Sequence, residues 1–121
     1  MDTPFFTVCK ADPTVQALLG GTSPRIYPFG SAPQSVVKPY VVYQWIGGAP
    51  FNTLNCRPDA DQASLQVDVY GLTTQSTTAV AKAIRYAIEL DSYITSYRGT
   101  DREPDTLLYR TGFDLNWLVN R

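Results

Sequence analysis

Between Leu107 and Val119 the odd-numbered positions read Leu, Tyr, Thr, Phe, Leu, Trp and Val. A two-residue period of this kind belongs to a strand with one buried, aromatic-rich face. The pattern recurs at Leu65, Val67 and Val69, with Gln66, Asp68 and Tyr70 on the opposite parity, so Ser64 to Gly71 reads as a second half-buried strand. Two such faces need a cover. Val80, Ala83, Ile84, Ala87 and Ile88 recur at helical spacing, and Thr73, Thr74, Gln75 and Ser76 ahead of them offer N-cap hydroxyls. A helix from about Thr74 to Leu90 is therefore predicted to lie on the strands.

The opening segment, Thr3 to Leu19, reads as helix in two parts, because Asp12 before Pro13 is an N-cap followed by proline at the first helical position. Val15, Leu18 and Leu19 share a face there, Phe5, Phe6 and Val8 add apolar contacts, and Gly20-Gly21 stops the helix. Pro24, Pro28, Pro33 and Pro39 make the next stretch irregular, with Arg25 to Tyr27 as a short edge strand. Tyr40 to Gly47 is a strand apolar on both faces: Tyr40, Val42 and Ile46 point one way, Val41, Tyr43 and Trp45 the other. Such a strand is expected to be covered on both sides. Gly47 to Ala60 carries turn residues for a long excursion, Tyr93 to Arg98 is a short strand, Asp101 to Asp105 is a solvated turn, and Gly112 is a bulge site in the last strand. The predicted architecture is one α+β domain over 1–121: a largely antiparallel, mixed sheet of four to five strands with two helices packed on one face.

Charge and composition remove several kinds of function. Ten basic against 11 acidic residues, mixed along the chain, give a net charge of -1 and no electrostatic pull toward a polyanion. No signal peptide opens the sequence and no stretch reaches the length of a membrane span, so neither membrane nor specific nucleic-acid binding is expected. There is no histidine, which removes the commonest general base, the triads built on it and most zinc sites. Cys9 and Cys56 have no metal or redox spacing and read as buried free thiols of a reducing cytoplasm, although Lys10 and Arg57 beside them would lower a thiol pKa if the side chains converged. The Gly20-Gly21 and Gly47-Gly48 pairs lack the rest of a phosphate loop. Asp59 and Asp61, and Asp101, Glu103 and Asp105, are paired-carboxylate or ion-site candidates that read better as solvated acidic turns. No catalytic, cofactor or metal residues emerge, and the chain reads as a non-enzyme. Tyr40, Tyr43, Trp45 and Phe51 would suit a stacking platform for single-stranded nucleic acid, but from Tyr40 to Cys56 no residue is charged. An uncharged aromatic stretch is the composition of a protein interface centre.

The ordered segments Leu18-Leu19-Gly20, Arg25-Ile26-Tyr27-Pro28, Ala32-Pro33-Gln34, Lys38-Pro39-Tyr40-Val41-Val42-Tyr43, Leu65 to Gly71 and the alanine-rich helix from Ala79 to Ala87 resemble the tail-completion family of long-tailed bacteriophages. These are small tail-terminator or head-to-tail joining proteins. The resemblance covers about residues 3 to 90 and is one of fold, not of an active site. It implies a virion protein, assembled in the host cytoplasm, that sits as a ring, a hexamer, at the head-proximal end of the tail. There it would cap the tail tube and offer a surface to the head connector, with no cofactor. Gly48, Phe51, Asn52, Asn55 and Arg57 are the candidates for contact with the tail tube protein or the ring axis. Lys82, Arg85, Glu89, Arg98, Asp101, Arg102 and Glu103 are the candidates for subunit contact, since mixed charges fix orientation more than affinity. The rival readings are a head-side adaptor or neck protein and, in another class, a small single-stranded nucleic-acid-binding module using Tyr43, Trp45 and Tyr70.

Overall fold

A computed structural model describes residues 3–21, 23–34, 36–52 and 54–120. Asp12 separates the first two helices, α1 (Phe5–Ala11) and α2 (Pro13–Leu19), and its carboxylate accepts from the N–H groups of Thr14 at 2.9 Å and Val15 at 3.1 Å. Gly20 closes α2 in the left-handed conformation at φ 104°, which a side chain would oppose. The third helix, α3 (Thr74–Ile88), begins at Thr73, whose hydroxyl accepts from the Ser76 N–H at 3.1 Å. The sequence reading counts two helices. The break at Asp12 makes the first of them two seven-residue pieces, so three helices cover the sheet.

Five strands, β1 (Ile26–Pro28), β2 (Tyr40–Pro50), β3 (Ala60–Gly71), β4 (Ser92–Arg102) and β5 (Tyr109–Asn120), form one sheet in the order β1-β2-β3-β5-β4. β1 runs parallel to β2 at one edge and every other pair is antiparallel. Leu65 pairs with Leu115, Val67 with Phe113 and Ala63 with Trp117, all buried under Val80, Ile84 and Ile88 of α3. Phe5 and Cys9 of α1 and Val15 and Leu19 of α2 complete the same core, with the Phe5 ring 4.9 Å from that of Tyr43. Each such side chain contributes about 1.5–3 kcal/mol by leaving water, so this layer is where the fold gets its stability.

Four expectations need correction. The helices cover one face only, so β2 is not buried on both sides: Val41 is fully buried, Tyr40 and Val42 are half-buried, and Trp45 and Ile46 are exposed. β2 also continues to Pro50, past a bulge between Trp45 and Gly47, which puts Gly48 inside a strand. A Cβ at Gly48 would collide with the carbonyl of Gln62 on β3, so glycine permits the pairing that turn chemistry alone argues against. β4 is longer than Tyr93 to Arg98, because Asp101 pairs with Arg110 and Arg102 with Tyr109, leaving the turn to residues 103–108. Gly112 is not bulged; the bulges lie in β4, between Ile94 and Ser96 and between Arg98 and Asp101.

Candidate docking surfaces

The tip candidates Phe51, Asn52, Asn55 and Arg57 and the turn candidates Asp101, Arg102 and Glu103 fall at two opposite ends of the sheet, and Lys82, Arg85, Glu89 and Arg98 lie between them. Ala60 pairs with Asn120 at one end of β3 and Gly71 with Tyr109 at the other. The twelve residues of β3 therefore hold the β2–β3 tip and the β4–β5 turn about 40 Å apart.

At the first end, Ala49 and Pro50 pair with Gln62 and Asp61, and the Phe51 N–H donates to the Ala60 carbonyl at 3.0 Å. This extended arm presents Phe51, Asn52, Asn55 and Arg57, all exposed, with Gly48 further back on β2. Asn55 takes the left-handed conformation at φ 63°, as a tight turn requires. Leu54 is 88% exposed and Phe51 49%, with Trp45 and Ile46 exposed behind them. Exposed apolar side chains thus gather on this one projection. Cys56 is also exposed here, against the expectation of a buried thiol, whereas burial, with Asp12 adding, pushes the Cys9 thiol up to about 12.

The charged candidates divide. Lys82, Arg85 and Glu89 line an apolar groove of about 420 Å³ with Thr14, Leu18 and Tyr86, between α2 and α3. Arg85 and Glu89 form an ion pair at 3.2 Å, and the Arg85 guanidinium stands 5.7 Å from the Tyr97 ring of β4. Lys82, Arg85 and Arg98 are among the residues lining a second, smaller hollow between α3 and β4. Asp101, Arg102 and Glu103 lie at the far turn, where the Arg102 guanidinium is 5.4 Å from the Tyr109 ring and Glu103 accepts from the Thr106 hydroxyl at 3.3 Å.

Arg98 turns out to be engaged within the chain. Its guanidinium donates to the Val67 carbonyl at 2.7 Å and to Asp68 at 2.7 Å, and it forms an ion pair with Asp114. Gln66 donates to the other Asp68 oxygen at 3.2 Å, and the Ser96 hydroxyl to Asp114 at 3.2 Å. A Cβ at Gly112 would collide with the Arg98 guanidinium, the Val67 carbonyl and Asp68, so the glycine is the seat on which the arginine rests. Beside this cluster Tyr40 stacks on Tyr70 at 5.1 Å, and Tyr27 meets Tyr40 edge-on at 6.5 Å. Burial raises the phenol pKa of both Tyr40 and Tyr70, and a hydrogen bond to Tyr70 raises that of Arg110. Sequence reading places Gln66, Asp68 and Tyr70 away from the core but misses these partners. Arg98 and Asp68 are 30 residues apart, and only the strand register joins them. Among the described residues no three His, Cys, Asp or Glu side chains converge as metal ligands, and no helix is long and apolar enough to cross a membrane.

Residues 3–120 match the family model described as "Tail completion protein gp17". A search of curated proteins returns no match. Among solved structures, a chain in the "Virion of native gene transfer agent (GTA) particle" shares the fold, with a TM-score of 0.76 at 14% identity, over 97% of this chain and 92% of that one.

Proposed function

Because the chain belongs to the tail completion protein gp17 family, and is thereby a structural protein of the virion tail, we propose that it caps the head-proximal end of the tail tube as a hexameric ring and offers its other face to the head connector. The observation that carries this reading is the separation of the two docking ends by the length of the sheet, with the largely apolar tip at one end and the mixed-charge turn at the other. A ring cap needs different surfaces above and below, and two unlike flanks for its neighbours. On this reading Phe51, Asn52, Asn55 and Arg57 of the tip, with Gly48 behind them, meet the tube or the axis. Asp101, Arg102 and Glu103 at the far turn, with Lys82, Arg85, Glu89 and Arg98 along the flank, set the register between copies. No step of chemistry is assigned to the chain, and no cofactor.

Mixing the pure protein with isolated tail tubes tests it. Capped ends in electron micrographs, and a mass in solution that rises to a ring when tube protein is added, are the expected result. Tubes with bare ends beside protein that binds the head connector instead would transfer the chain to the head side of the joint.

A further inference from the structure

Two surfaces of this chain are unmatched where they stand and complement each other. The first is the groove of about 420 Å³ between α2 and α3, lined by Leu18, Ala79, Ala83 and Tyr86, with the Tyr86 side chain 78% exposed. Of the basic residues on it, Arg85 is held by Glu89, but Lys82 makes no ion pair among the described residues. The second is the turn from Glu103 to Leu108. Leu107 takes the left-handed conformation there at φ 59°, and the backbone is pinned: its N–H donates to the Glu103 carbonyl at 2.8 Å and its carbonyl accepts from the Arg102 guanidinium at 3.3 Å. Leucine rarely adopts such a conformation, which asparagine or glycine enters at less cost. Yet the Leu107 side chain is 57% exposed and lies outside the core. Glu103 and Asp105 beside it carry negative charge with no basic residue between them, and neither makes an ion pair among the described residues. A strained backbone that holds an apolar side chain out in water is explained by a contact beyond the chain.

We propose that the β4–β5 turn of one copy seats in the α2–α3 groove of the next, with Leu107 against Leu18, Ala83 and Tyr86 and Asp105 against Lys82. The proposal rests on the ring reading and gives it a specific joint. The turn cannot serve the groove of its own chain. A Cβ at Gly71 would meet Ser76 and Thr77, so α3 starts beside the Gly71–Tyr109 pair, where the turn stands. Tyr86 lies about 18 Å further along the helix. Groove and turn are unlike patches, so the contact is heterologous and repeats by rotation, as a ring requires. The charges favour a second copy as the occupant, because the acidic turn supplies the partner that Lys82 lacks. Leucine burial gives the joint its affinity, and the opposed charges fix which way round it forms.

Leu107→Asn separates contact from folding. Asparagine suits the left-handed backbone, so the variant should melt no lower than the parent while ring formation on tail tubes falls about tenfold or more. Rings formed as readily as by the parent would remove Leu107 from the joint. Lys82→Glu should lose rings in the same way, and Asp105→Lys added to it should restore most of them. A failure to restore would overturn the charge pairing. Cross-linking reads the joint directly. In a chain carrying Cys56→Ser, Ala79→Cys and Pro104→Cys, the remaining Cys9 is buried. A short bismaleimide added to assembled caps should then give a ladder of covalent oligomers ending at the ring size, and chains with only one introduced cysteine should stay monomeric. Rings visible in micrographs without a ladder would overturn the joint and leave the ring reading intact, whereas the absence of any ring of the parent chain on tubes would overturn both.

Discussion

On the face toward the helices Val67 meets Phe113 and Leu65 meets Leu115; one residue along, on the open face, Asp68 meets Gly112 and Gln66 meets Asp114. The covered face is apolar and fills its space with side chains from three helices. The open face satisfies itself with polar partners, so that Asp68, only 9% exposed, still has both carboxylate oxygens bonded. The second face is ordered too, by an arginine seated on a glycine and bonded to acceptors on two strands.

The comparison breaks most visibly under substitution of neighbouring residues on β5. Phe113→Ala, on the covered face, should cost about 3–5 kcal/mol in chemical denaturation, while Asp114→Ala, one residue on, should cost about 1 kcal/mol because its ion pair is partly solvated. Equal losses would erase the distinction between the faces. Gly112→Ala should cost about 1–3 kcal/mol by overpacking. Combined with Arg98→Ala it should cost less than the sum, since the guanidinium is one of the groups the new methyl strikes.

The two thiols give a milder contrast. Thiol reagents at neutral pH should label one cysteine of the folded chain, Cys56, and two after unfolding. The Cys9 pKa is raised by burial from 9.0 to about 12, so the unfolded chain loses this proton first. The stability it represents is whole below pH 9 and declines as the pH rises toward 12, which an alkaline denaturation series reads. The smallest effect belongs to the outer face of α3, where Glu89→Gln should change stability by less than about 0.5 kcal/mol and salt should hide even that.

What the sequence shows in advance follows the same division. Parity alone places Leu65, Val67, Val69, Phe113, Leu115 and Trp117 in the core, and Asp12-Pro13 marks the break between α1 and α2. These signals are local, a period or a cap, and need no knowledge of the rest of the chain. Asp101 and Arg102 look like loop because an edge strand keeps polar residues hydrated, so burial leaves no trace in their pattern. Gly48 looks like turn because its reason is the Gln62 carbonyl on another strand. The Arg98 cluster is hidden for the same cause: its three acceptors, Val67, Asp68 and Asp114, come from two strands that only the register brings beside it.

The central claim is that the largely apolar β2–β3 tip is an adhesive surface with no part in holding the fold. Counting capped tail tubes in electron micrographs after mixing with the parent chain or with Phe51→Asp tests it most directly. The account predicts that the variant melts within about 0.5 kcal/mol of the parent yet leaves most tube ends bare. A variant that caps tubes as the parent does, or one that fails to fold, would contradict it.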